Sequence, residues 1–252
     1  MCFAGTRERS APASRGCQAK VPVARSLAAL VRNQYWLTLA LLLSFLFVMF
    51  GFLGSNVYYC QYVLREVDLF GPMMAVLQIS MLVGMFVCGP LFKRFGKRNL
   101  ALIGLGVAIL GQAIMFAAPT RFGVVLAGMI VRGLGSAPLL GTLFAMVADT
   151  IEFGEFKFGF RTDGLAFGTI ALLTRVFIGL GNAAVGFILS HSGYIAGAAS
   201  QSQTALAAIN AMFLHVPLLL LAVMALILWS YGLDKRYPLI SAELKARRSG
   251  SK

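Results

Sequence analysis

Six apolar runs, at about 36–60, 70–92, 99–118, 123–148, 165–190 and 206–231, constrain this chain more than any other feature. Each holds roughly 20–26 residues, and at 1.5 Å rise per residue such a helix crosses the ~30 Å hydrocarbon core of a bilayer. Gly, Pro and other small residues recur through the runs, which membrane helices tolerate better than soluble ones. A soluble core made from these runs would need a polar face on most helices, and those faces are missing. A mean hydropathy of +0.81 with 12% charged residues points the same way. The expected fold is an all-α membrane protein with six transmembrane helices.

The basic residues give the orientation. With the N-terminus in the cytoplasm, the inner segments hold 18 of the 22 Lys/Arg: six in 1–35, four in "KRFGKRN" (93–99), two in 148–164 and six from Lys235 onward. The outer loops hold only Arg65 and Arg121, while Arg132 and Arg175 fall within spans. This asymmetry places both termini in the cytoplasm. The net charge of +13 then faces anionic lipid, so the lipid bilayer is the expected partner and nucleic acid is not.

Residues 1–20 are polar, Pro/Ser/Arg-rich and without apolar periodicity, a disordered basic leader. No small-residue cleavage site follows the first run, so a cleaved signal peptide is not expected. Residues 21–35 carry apolar residues at helical spacing among Arg25 and Arg32, as a cytoplasmic loop or an interfacial segment. The bundle covers 36–231, and 232–252 form a cytoplasmic tail. Between the second and third spans, Gly89 and Pro90 are expected to end a helix and Gly96 to allow a tight turn. Cys2, Cys17, Cys60 and Cys88 have no paired spacing, so neither a disulfide framework nor a zinc site is indicated.

Two features stand out against the apolar background. The stretch "ADTIEFGEFKFGFRTDG" (148–164) holds six charged residues, Asp149, Glu152, Glu155, Lys157, Arg161 and Asp163, with four of the nine acids in the chain. Asp149, Glu152 and Glu155 share a helical face if the fourth span runs on past the membrane. Phe153, Phe156, Phe158 and Phe160 are candidates to anchor this stretch at the lipid interface. The second feature is Arg175, near the middle of the fifth span. Gly168, Ala171, Gly179, Asn182 and Gly186 share its face, a surface suited to a polar cleft or to close helix packing. Arg132 is read as snorkelling to the outer interface, with Gly133, Gly135 and Pro138 breaking or bending its helix. Asn56, Tyr58, Gln78, Gln112 and Asn210 are expected to make helix–helix hydrogen bonds, and His191 and His215 carry no paired signal. No catalytic constellation is present, so an enzyme is not expected.

The charged stretch resembles the pattern "ADTVDYGEWKTGxRxEG" of the glycoside–pentoside–hexuronide:cation symporters, the melibiose-carrier relatives within the major facilitator superfamily. "KRFGKR", "SGY…QSQTAL" and the cation Arg175 within the fifth span, ahead of the latter, extend the likeness over about 21–248. Members of that family have twelve helices, and this chain resembles the last six. The resemblance implies cation-coupled (Na⁺ or H⁺) symport of a sugar or glycoside across a bacterial inner membrane. It places the coupling-cation acids on the missing N-terminal half, so that half, or a second copy, is an implied partner. It implies that Arg175 binds substrate hydroxyls or pairs with a carboxylate of the other half, with Asn182 on the same face; a purely structural ion pair is the alternative.

Leu140 stands where melibiose-carrier relatives have a sugar-stacking Trp, and Ala171 where they have a sugar-contacting Thr, which weakens the case for a melibiose-like sugar. Asp149, Glu152, Glu155, Lys157, Arg161 and Asp163 are then expected to form a cytoplasmic gate that holds the two halves together when that side is closed. Two other readings stay open: a lysophospholipid-type cation symporter, and a non-transporting fragment or interaction subunit.

Overall fold

The computed structural model describes residues 22–160, 162–198 and 200–233, with Tyr237 and Glu243. The leader 1–20, Arg161 of the expected gate and most of the tail 232–252 lie outside the described residues. Among the described residues all regular structure is helical. A short helix α1 (Val23–Val31) precedes the six spans. The first span joins α2 (Gln34–Phe52), a 3₁₀ turn and α3 (Asn56–Tyr62). Then come α4 (Phe70–Phe95), α5 (Lys97–Ala117), α6 (Phe122–Phe158) and α7 (Asp163–His191). The last span is α8 (Gln203–Asn210), a π-helical turn Ala211–His215, and α9 (Val216–Ser230).

The helix ends follow from local chemistry. Asn33 caps α2 by accepting from the Trp36 N–H at 3.2 Å, and its own amide donates to the Thr150 carbonyl at 2.8 Å. One side chain thus starts the first span and ties it to α6 at the cytoplasmic boundary. Gly96, at φ 76°, makes the turn between α4 and α5. Gly89 and Pro90 do not end a helix as expected, because α4 continues through both to Phe95. A proline lacks one backbone donor, and membrane helices absorb that loss through neighbouring groups. α6 is likewise unbroken at Pro138 and runs for 37 residues. At 1.5 Å per residue this is about 55 Å, so its last turns stand clear of the hydrocarbon.

Glycines let the helices meet at backbone distance. A Cβ on Gly111 would lie 2.3 Å from the Arg132 nitrogen, and one on Gly135 would lie 2.3 Å from the Ala108 nitrogen. Gly104 and Gly111 of α5 thereby mesh with Gly128 and Gly135 of α6, an association that side chains would block. Gly51 and Gly181 do the same for α2 and α7. Gly133 packs on Leu77 and Ser80 of α4, so it is a contact point and not a hinge. Only 17% of the central apolar stretch is buried in the second and fifth spans, against 44–50% in the other four. α4 and α7 are the two helices whose surfaces remain open.

Candidate functional site

The open face of α7 carries the residues singled out in the sequence. Arg175 lies two residues from the middle of α7 (Asp163–His191, midpoint 177). It is exposed, and so are Gly168, Ala171, Gly179, Asn182 and Gly186. A Cβ added at Gly168, Gly179 or Gly186 would meet nothing within 4 Å. The face is therefore open in this chain; close packing is the work of Gly181, on the other side of the helix. Among the described residues Arg175 has no hydrogen-bond or ion-pair partner. Asn182 sits at the rim of this face beside α2, its side-chain oxygen 3.8 Å from a Cβ built on Gly54.

Leu140 is placed differently. It is half-buried and lines a small cavity of about 30 Å³ between α2, α4 and α6, with Gln78, Met81, Arg132 and Ser136 among its neighbours. Arg175, Ala171 and Asn182 do not line that cavity. Three of the four expected substrate-contacting residues thus lie on α7, and Leu140 lies on α6 in a cavity of its own.

Arg132 does not snorkel. It is 5% exposed, and its guanidinium donates to the Gln112 side-chain oxygen at 3.0 Å. Gln112 in turn donates to the Phe213 and Leu214 carbonyls at 2.9 and 3.0 Å. Those carbonyls belong to the π-helical turn, where the regular backbone pattern slips and an outside donor is useful. The bridge Arg132–Gln112–Phe213 joins α6, α5 and the last span; the reason for the misreading is that its partners lie 20 and 101 residues from Arg132 and Gln112 respectively.

The charged stretch is helical through Phe158, so Asp149, Glu152 and Glu155 all ride on α6. Asp149 is buried, and Lys97 from the first turn of α5 donates to both its oxygens, at 2.7 and 2.5 Å. Lys97 was not singled out in the sequence; the signal was the cationic turn "KRFGKRN" 52 residues earlier. Glu152 accepts from the Tyr237 hydroxyl at 2.8 Å, and Lys97 lies 5.0 Å above the Tyr237 ring. Burial first, then the bond to Glu152 and the nearby carboxylates, push the Tyr237 hydroxyl above its ordinary pKa, which keeps it a donor.

Glu155 and Asp163 are half-buried and each has an interaction partner, while Lys157 is exposed over the Phe158 ring at 5.4 Å. Phe153 turns inward onto Tyr35, with ring centroids 4.9 Å apart, and Phe156 packs on the core, so neither is a lipid anchor.

At the outer side, Tyr194 meets Tyr62 hydroxyl to hydroxyl at 3.2 Å and packs edge-on against Tyr58 and Tyr62. Burial and the Tyr62 bond raise the Tyr194 pKa to about 12. Asn56 faces the Met74 sulfur at 3.8 Å, and Asn210 bonds the Leu206 carbonyl within its own helix, so Asn210 makes no helix–helix bond there.

These features describe a six-helix membrane bundle with a packed wall, an open cationic face and a charged cytoplasmic end. The comparisons with known proteins agree. The family model for MFS/sugar transport protein matches residues 1–235, and the chain belongs to that family. It is 31% identical over 98% of its length to the isoprimeverose transporter of Lactiplantibacillus pentosus, covering 51% of that protein. It is 29% identical over 98% of its length to the glucuronide carrier protein homolog of Escherichia coli (strain K12), covering 54% of it. A putative sulfoquinovose importer of Salmonella typhimurium is 29% identical, with 98% of this chain and 52% of the importer covered. The chain spans about half the length of these curated relatives, and it is a multi-pass integral membrane protein of the bacterial inner-membrane type.

Proposed function

We propose that the chain is one half of a twelve-helix secondary carrier that moves a sugar or glycoside together with Na⁺ or H⁺. The observation that carries this reading is Arg175, exposed and unpaired among the described residues at the middle of α7. An arginine at the centre of a span costs about 2.5–3.5 kcal/mol on insertion scales when it faces lipid. A hydrated cleft between two halves removes that cost, and the open surfaces of α4 and α7 are where a second half would close it. The relatives' names support sugars and their acids as the substrate class.

In this reading Arg175 and Asn182 hydrogen-bond the substrate, Ala171 lets the ring approach α7, and Leu140 supplies an apolar wall. The acids that hold the coupling cation belong to the other half. Glu152, Glu155, Lys157, Arg161 and Asp163 form the cytoplasmic gate, whose exposed pairs contribute only about 0–1 kcal/mol each and so make and break easily. Asp149 belongs to the same gate, and Lys97 of this half holds it at the gate's base.

The test is uptake of radiolabelled glycosides and uronides by proteoliposomes holding the chain with a complementary six-helix half. Uptake driven by an imposed Na⁺ or proton gradient, and lost in Arg175→Ala, is the expected result. Uptake indifferent to both gradients removes the coupling claim, and full uptake in Arg175→Ala removes the site. Inhibition by lysophosphatidylcholine without inhibition by sugars moves the substrate to an amphiphile.

A further inference from the structure

Helix α1 lies outside the transport reading, and nothing in that reading uses it. Val23, Leu27 and Val31 are spaced i, i+4, i+8 and are 66, 43 and 60% exposed, an apolar stripe along a nine-residue helix. Asn33, two residues past the end of α1, is bonded to Thr150 one residue from Asp149. That bond holds α1 at the level where α6 leaves the hydrocarbon. An exposed apolar stripe at this depth faces acyl chains and not water.

The opposite face of α1 carries Arg25 and Arg32, two turns apart. Both line a cavity of about 200 Å³ whose remaining walls are Ala28, Ala29, Phe158 and Phe160. The Arg25 guanidinium stands 5.8 Å over the Phe160 ring, which orients it, and Lys157 lies next to the Phe158 wall. Among the described residues neither arginine has a carboxylate partner. Two arginine side chains line one pocket beside the cytoplasmic end of α6, and a glycerophosphate is of a size to fill it.

We infer that the pocket between α1 and the end of α6 binds the phosphate diester of an anionic phospholipid of the cytoplasmic leaflet. Guanidinium forks match phosphate oxygens, the two aromatic walls take the glycerol, and the apolar stripe of α1 rests on the chains. The site ties the cytoplasmic end of α6 to lipid charge, and it stands whether or not the chain transports sugar.

The experiment is native mass spectrometry of the purified full chain, titrated with phosphatidylglycerol or phosphatidylethanolamine. One phosphatidylglycerol is expected to be retained saturably, with little phosphatidylethanolamine. In Arg25→Gln/Arg32→Gln the affinity should fall roughly tenfold or more, as expected from losing two surface cations. Arg25→Lys/Arg32→Lys should keep most of it, and Arg94→Gln, a cytoplasmic cation outside the pocket, should change little. Both arginines are exposed, so the variants should elute and fold as the parent does. Equal retention by the Gln variant, or equal retention of both lipids, overturns the proposal. Displacement of phosphatidylglycerol by millimolar inorganic phosphate also overturns it, since the site would then serve free anions.

Discussion

The glycines of α5 and α6 and the glycines of α7 look alike in sequence and do opposite things. Gly104, Gly111, Gly128 and Gly135 are where two backbones touch, and a single added Cβ at Gly111 or Gly135 would collide at 2.3 Å. Gly168, Gly179 and Gly186 border open space. The first set belongs to a packed interface, while the second borders an open surface, on the face that also carries Arg175. Small residues mark close approach in membranes, but they do not tell which surface does the approaching. One side of this bundle is packed, and the other is open.

Four single substitutions, two of them with a double-variant control, sharpen that contrast, read by unfolding of the purified chain in mixed micelles. The largest effect is expected at the packed cytoplasmic end. Lys97→Met leaves the buried Asp149 carboxylate without its cation and should cost about 3 kcal/mol or more. Adding Asp149→Asn should recover part of that loss, and a strictly additive double variant would show that the two do not act as a pair.

Gly111→Ala should come next, at about 2–3 kcal/mol, because the methyl group meets backbone and not a movable side chain. A parental stability for this variant would break the seam argument. Gln112→Leu should cost about 2 kcal/mol, since it strands the Arg132 donor and two π-turn carbonyls together. Arg132→Leu on the same background should then add little, and a full further loss would mean that Arg132 has a second role.

The smallest effect belongs to the open face. Gly179→Ala should leave the chain unchanged or up to about 1 kcal/mol more stable, following helix propensity alone. It should nevertheless impair uptake in a two-half carrier. Destabilisation comparable to Gly111→Ala would erase the distinction between the two surfaces.

Much of the fold was legible in the residues. The lengths of the apolar runs were enough for the six spans, and the crowding of acids in 148–164 marked the cytoplasmic extension of α6. Gly96 was legible as a turn because a positive φ suits glycine, and it adopts φ 76°. The face of α7 could be listed from helical periodicity. Its openness could not, because periodicity gives direction around an axis and says nothing about what lies there.

Where reading failed, a long-range partner was the cause. Arg132 looked like a snorkelling cation until Gln112 was beside it, and nothing local to Asp149 pointed to Lys97, 52 residues away, as the cation that holds it. Leu140 and Ala171 were grouped by the resemblance; in this chain Leu140 lines a cavity with residues of α2, α4 and α6, while Ala171 lies on the α7 face.

By itself the sequence determined that this chain crosses a membrane six times, which side its cations face, and where its unusual charges fall along each helix. These are one-dimensional properties, set by run length, charge count and a period of 3.6 residues. Only the tertiary structure decided which charges are paired and which glycines are in contact, and therefore which face was left open. Those outcomes depend on neighbours brought together from 20 to 117 residues away, as in Arg132–Gln112 and Asn33–Thr150. No local pattern records which surfaces will meet across such a distance.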